Sequence, residues 1–254
     1  MRTCVVTGSA SGIGAATRHL LLGQGVRVVG VDRHEADVTV DLAVAPQRQE
    51  AVAEIVRVAD GRVDAVVACA GMWSQDDRPV RVNYFGVVEV LEALRPVLAA
   101  GVDPGVVVVS SAAIDHRSDQ ATVEACLAGD EEGAANAIQR DPRLAYSSSK
   151  RALARWVRRM APTPAWAGAG ITLNAVAPGT IETPMTAAAM ASERSRAMVD
   201  RNIPMPLGGH GRPEQVAALL AWLAGPENTI VTGQVVFADG GADAVLRGDD
   251  LWPT

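Results

Sequence analysis

Lysine is almost absent from this chain. Of its 23 basic residues all but one are arginine, and the exception is Lys150. Aromatic residues are scarce at 4%, with two tyrosines and two phenylalanines. The three cysteines, Cys4, Cys69 and Cys126, are scattered without metal-ligand spacing, which excludes a disulfide framework and leaves no metal site to expect. No apolar run is long enough to span a bilayer, the valines at 106–109 being the longest run near a strand. The opening MRTCVVTG has no apolar signal-peptide core, so a cytoplasmic protein away from membranes is expected. A formal net charge of −6, with basic residues clustered only at 150–159, argues against nucleic acid as a partner. Internal repeats and low-complexity linkers are missing too.

What is present is an alternation. Short β-branched runs lie at 3–7, 26–32, 37–41, 63–69, 105–110, 171–176 and 231–237, most of them apolar on both faces. Helix-like stretches lie between them at about 12–23, 46–59, 80–100, 145–161 and 213–224. This rhythm predicts one α/β domain over 1–254, a doubly wound parallel sheet of about seven strands with helices on both faces. It is broken twice. Residues 112–143 form an insertion, and residues 179–212 form a Met-, Ala- and Pro-containing segment with helical potential at 185–200. Connections of that length are usually functional.

The first strand runs into TGSASGIG, residues 7–14, and then a helix. Gly8, Gly12 and Gly14 allow a tight turn with Ser11 and Ile13, and the free N–H groups at the helix start suit a pyrophosphate. The spacing G-x-x-x-G-x-G differs from the commonest dinucleotide fingerprint. Asp32 ends the second strand, where a carboxylate would accept the hydroxyls of an adenosine ribose and repel a 2′-phosphate. That favours NAD(H) over NADP(H), although the guanidinium of Arg33 next door would attract the phosphate. Asp41 and Leu42 end the third strand, where they would meet adenine; Ala70 and Gly71 end the fourth, where small residues admit a cofactor.

With YSSSK at 146–150, CAG at 69–71, VNYFG at 82–86, VVVVSS at 106–111 and NAVAPGTIETPM at 174–185, all in order, the sequence resembles the short-chain dehydrogenase/reductase family along essentially its whole length. Within it, SGIGAATR at 11–18, the long excursion and the ending DGGADAVLR at 239–247 are most similar to the bacterial 3α-hydroxysteroid dehydrogenase/carbonyl reductase group. The resemblance implies that Tyr146 is the general acid/base, that Lys150 binds the nicotinamide ribose, that Ser111 holds the substrate oxygen and that Asn83 completes a proton relay. It also implies a cofactor wall at Pro178, Gly179, Thr180, Ile181 and Thr183. The chemistry fits those residue types. An isolated tyrosine, with a pKa of about 10, is a poor base near neutrality, and a nearby ammonium would lower it. Residues i and i+4 share one helical face, so Tyr146 and Lys150 can enter one cleft. The enoyl reductases of the superfamily space this pair more widely, so carbonyl or alcohol chemistry is the better match.

Met185, Met190, Met198 and Met205, with Met72 and Trp73 after the CAG turn, suggest an apolar substrate wall under a lid. The expected substrate is therefore a bulky steroid, terpenoid, polyketide or aromatic carbonyl compound. An epimerase or lyase using NAD without net turnover, or a nucleotide-sensing protein without catalysis, remain the alternatives. The acids of 112–143 are expected to fold over the Arg151, Arg155, Arg158 and Arg159 face of the Tyr–Lys helix. In the family that helix forms a subunit interface, so its cover would favour a homodimer through the last helix and strand over the homotetramer.

Overall fold

The structure, a computed structural model, describes residues 1–187 and 190–249. Seven parallel strands form one sheet in the order β3-β2-β1-β4-β5-β6-β7. They are β1 (Thr3–Thr7), β2 (Arg27–Asp32), β3 (Val38–Thr39), β4 (Ala65–Ala68), β5 (Gly105–Val109), β6 (Thr172–Pro178) and β7 (Val235–Ala238). Each expected strand is present, and the third has shrunk to two residues. The continuous apolar runs have a simple cause. Successive residues point to opposite faces, and both faces are covered. On β5, Val106 and Val108 enter one core while Val107 enters the other.

The helices divide accordingly. On one face lie α1 (Gly12–Gly23) and, later in the chain, Pro213–Ala224, which supplies Val216, Leu220 and Leu223 to the core. On the other face lie α2 (Ala45–Val58), α4 (Gly86–Ala99) and the Tyr–Lys helix Ala145–Met160, with Ile55, Leu91, Leu94 and Leu153 pointing inward. The expected helix at 80–100 is composite. A short α3 (Arg78–Val80) passes through a π-turn at Arg81–Phe85 before α4 begins, so Asn83 sits at an irregularity of the kind common at functional sites.

The 112–143 insertion is helical. It holds α5 (Gln120–Ala128) and α6 (Glu131–Ile138), followed by α7 (Ala145–Met160). Asp119 caps α5 by accepting from Thr122 N at 2.8 Å, and Asp130 caps α6 by accepting from Gly133 N at 2.9 Å. Two of its acids are therefore caps. The insertion does lie against α7, but mainly through buried Val123 and Cys126. Of the four arginines only Arg155 meets an acid of the insertion, Glu124, at 2.8 Å. Arg151 donates to the carbonyls of Ile114 and His116, and Arg158 to that of Gly233.

The stretch expected to be helical at 185–200 is split. It becomes α8 (Pro184–Ala187) and α9 (Glu193–Asn202), while residues 188 and 189 lie outside the described residues. The remaining helices are α10 (Pro213–Ala224) and α11 (Ala242–Arg247). Among the described residues no helix is long and apolar enough to cross a membrane, and no cluster of three His, Cys, Asp or Glu could hold a metal.

The insertion meets α11 through a carboxylate pair. Asp115 is largely buried beside Asp243, with Arg247 3.7 Å from one of its oxygens. Burial, then the adjacent Asp243, pushes the Asp115 pKa up from 3.8 to about 6, against the pull of Arg247. The folded protein thus holds this proton more tightly than the unfolded chain does. Its stabilising effect is complete below about pH 3.9 and is lost as pH rises through about 6. Asp115→Asn is expected to raise stability at pH 7.5 by about 1–2 kcal/mol. The gain should fade towards pH 4.5 in urea unfolding; a gain independent of pH would contradict the account.

Candidate active site

A cavity of about 270 Å³ opens at the carboxyl ends of the strands. Strand order reverses between β1 and β4, and there the loops part to leave a crevice. The glycine turn forms its floor. Gly8 adopts a φ of +69°, and a Cβ there would lie 2.8 Å from Ala70 N. A Cβ on Gly14 would stand 2.0 Å from the carbonyl oxygen of Gly8, so the turn closes on itself only with glycine. No side chain caps the start of α1, and its first N–H groups are left to face the cavity beside Ser11, Gly12 and Ile13.

Asp32 stands at the rim where β2 ends. Its carboxylate accepts from Ala10 N at 3.0 Å and from Arg33 N at 2.6 Å, which fixes its direction. Arg33, Asp41 and Leu42 line the same end, and Ala70 and Gly71 form the middle.

At the far end three polar side chains converge: Ser111 after β5, and Tyr146 and Lys150 on α7. Lys150 is buried, with Nζ donating to the carbonyl of Val109 at 2.6 Å. Burial lowers its pKa to about 8. Its Nζ lies 6.0 Å from the Tyr146 ring centroid. The tyrosine differs from expectation. Burial pushes its pKa up, and the opposing influence is a hydrogen bond with Ser111 rather than the ammonium. The reason lies in the order of titration, since the Lys150 amine, at about 8, has lost its charge before the phenol titrates.

Asn83 is wholly buried one layer behind the wall. Its Oδ1 accepts from Met72 N at 2.8 Å, while Nδ2 donates to Met72 O and to Ser149 Oγ. Every side-chain polar atom is thereby engaged in holding the 71–72 turn. A Cβ on Gly71 would lie 3.2 Å from Lys150 Nζ and 3.3 Å from Asn83 Oδ1, so the turn packs directly on both.

The serines between Tyr146 and Lys150 were not singled out in the sequence. Ser147 donates to Arg117 O, Ser148 accepts from Asp119 N, and Ser149 donates to Tyr146 O. They fasten the insertion and Asn83 to α7. Cys69, Arg78 and Val82, to which the sequence assigns no role of their own, also line the cavity. Only their nearness to CAG and VNYFG could have pointed to them.

Residues 178–186 close the cavity from above. Pro178, Gly179, Ile181, Thr183 and Met185 line it, and Thr183 Cγ2 lies 3.2 Å from where a Gly12 Cβ would be. Thr180 is buried away from the wall, with its N–H directed to Met205 Sδ. Trp73 is 57% exposed and stands off the wall, as does Met190. Of the substrate-wall candidates, the structure brings Met72 and Met185 to the cavity, while Met198 and Met205 also lie off its lining.

Comparison with known proteins gives this geometry a family. Residues 2–123 match the family model described as short chain dehydrogenase, and residues 131–243 the one described as enoyl-(acyl carrier protein) reductase. The 3-alpha-hydroxysteroid dehydrogenase/carbonyl reductase of Comamonas testosteroni is 38% identical, over 97% of this chain and 98% of that protein. The 3beta-hydroxysteroid dehydrogenase 1 of Eggerthella lenta is 31% identical over 94% and 93%. A crystal structure of the 3-alpha-hydroxysteroid dehydrogenase from Pseudomonas sp. B-0831, complexed with NADH, superposes with a TM-score of 0.92. It is 39% identical, and the match covers 98% of this chain and 100% of that one. The chain therefore belongs to the short-chain dehydrogenase/reductase family and is an oxidoreductase.

Proposed function

We propose that the protein interconverts a secondary alcohol and a ketone on a bulky apolar substrate, using NAD(H). One observation carries the reading: Ser111, Tyr146 and Lys150 meet at one end of a cavity whose other end is the glycine turn and Asp32. The residues present fit the nucleotide. Uncapped N–H groups at the start of α1 suit a pyrophosphate, and the side-chain-free surface of Gly8, Gly12, Gly14 and Gly71 gives it room. When bound, the nicotinamide supplies or takes up the hydride.

The rest falls to this chain. Ser111 Oγ accepts from Ala113 N at 3.1 Å, and its one proton, directed to Tyr146, would turn to the substrate oxygen when substrate binds. Tyr146 gives or takes the hydroxyl proton, with Ser111 drawing down a pKa that burial raises. Lys150 offers ammonium donors to the ribose, and Asn83 holds the turn against which the nucleotide rests. Hydroxysteroid relatives and the Met185 wall support a steroid or similar polycyclic ketone over a sugar.

The enzyme is expected to reduce members of a panel of 3-ketosteroids and aromatic ketones with stoichiometric loss of NADH absorbance. Reduction of an enoyl thioester alone would place the chemistry at a double bond. Epimerisation without net NADH turnover would favour the alternative enzyme. Because Asp32 is fixed at the rim, NADH should be preferred over NADPH by about 10² or more. Equal efficiency with both would mean that Arg33 relieves the repulsion.

Lys150→Arg should lose roughly 10²-fold or more in turnover despite keeping its charge, because a planar fork fits neither the Val109 carbonyl nor the gap above Gly71. Near wild-type turnover would show that any cation serves. A dimer through α10, α11 and β7 is the assembly that suits an α7 already covered by α5 of its own chain, with Arg155 tied to Glu124. Light scattering should report two subunits; four would count against this.

A further inference from the structure

The third strand poses a problem for the cavity. β3 is only two residues long, and its last ladder-like contact is Val40 N donating to Asp32 O at 2.9 Å. Residues 41–43, which line the cavity beyond it, therefore lack the sheet hydrogen bonds that hold the other strand ends. Nor does a side chain cap α2, whose N-cap is Val44. The shape of this wall must come from elsewhere.

Part of it is local, with Asp41 Oδ1 accepting from Ala43 N at 2.9 Å, and the rest comes from the first turn of α2. Gln47 Oε1 accepts from Asp41 N at 3.0 Å. Arg48, only 1% exposed, donates from Nε to Leu42 O at 2.8 Å and from Nη2 towards Ala43 O at 3.4 Å. The same guanidinium reaches Arg81 O in the π-turn at 3.4 Å. Its outer edge is a bidentate pair with Glu131 of α6, at 2.7 and 2.8 Å, and Glu89 of α4 adds a bond at 2.9 Å. Burial opposes the charge, but Glu131 and then Glu89 outweigh it and hold the pKa above the ordinary arginine value. Gly86 permits the close fit, since a Cβ there would lie 2.9 Å from Leu42 Cβ.

We propose that Arg48, aligned by Glu131 from the 112–143 insertion, is a positioning residue that sets the nucleotide-binding wall at Leu42 and Ala43. This rests on the reading of the cavity as a nucleotide site. The insertion thereby acts on cofactor affinity from a distance, without a side chain of α6 lining the cavity. A planar fork is required. Only a guanidinium can meet two carbonyls on one edge and a carboxylate on the other, so lysine cannot replace it.

The test is the binding of NADH and of ADP-ribose, read by nucleotide fluorescence and by competition, alongside thermal melting. Arg48→Lys is expected to weaken both ligands about tenfold, because both carry the adenosine half, and to raise KM for NADH more than it lowers kcat. Glu131→Gln, which leaves Arg48 in place, should weaken both several-fold. Leu98→Ala is the control for lost stability, being a buried residue near the strand starts on the side opposite the cavity. It should melt earlier with its NADH affinity kept within about twofold. The proposal is overturned if Arg48→Lys binds as the wild type does, or if Leu98→Ala weakens NADH equally. Should Arg48→Lys fail to fold, wild-type affinity in Glu131→Gln overturns it alone. A wild-type protein that binds neither ligand overturns the reading of the cavity, and this proposal with it; loss confined to the variants cannot be confused with that.

Discussion

Burying one ammonium at the end of a strand constrains much of this molecule. Lys150 is nearly inaccessible, and an unpaired buried charge would shift towards neutrality rather than persist. The downward pull on its pKa is that tendency. It is met by the Val109 carbonyl, which requires α7 to lie directly against the end of β5. Ser110 reinforces the contact by donating to Lys150 O at 3.1 Å. Room for the ammonium on its other side comes from Gly71, and the turn bearing Gly71 is in turn held by Asn83. The one lysine in an arginine-rich chain thus sits where a compact cation fits and a fork does not.

The same logic of close approach builds the opposite end. The glycine turn touches itself and the end of β4 at distances that leave no space for a Cβ. Such contacts are possible because a parallel sheet brings several strand ends to one edge, where backbone and not side chain faces the crevice. Between the two ends, α7 does double duty. Its buried face carries Tyr146 and Lys150, while Ser147 and Ser148 bind the start of the insertion. Chemistry and scaffold are joined within five residues.

Legibility from sequence followed from the range of each interaction. Strands and helices were readable because burial on two faces, or on one stripe, imposes a local period, and β1, α1 and α10 match almost to the residue. The meeting of Tyr146 and Lys150 at one cavity was readable because residues i and i+4 share a helical face, and the glycine turn because its close approach excludes a Cβ. What was not readable depends on residues far apart. The bond from Arg48 to Glu131 crosses 83 positions, and that from Asn83 to Ser149 crosses 66. No local pattern announces such pairs. The π-turn at Asn83 was hidden for a related reason, since an inserted residue shifts the helical phase without changing composition. Trp73 and Met190 were misplaced because being apolar near a cleft does not fix on which side of a loop a side chain emerges.

The two walls of the cavity are held in unlike ways, and this bears on which of them the sequence could describe. The nucleotide end is fixed by the buried Arg48 and by glycines without clearance. The other end is roofed by α8, with α9 following it outside the cavity lining, and neither contributes a buried residue to the core. The roof is fastened at a few points, including a short bridge between Ile181 and Gly211, a bond between His116 and Asn202 O, and the His210–Asp200 pair. Substitutions in α8 can therefore change that wall while leaving both hydrophobic cores intact. The nucleotide end cannot vary so freely, because each change there strikes backbone or strands a buried charge.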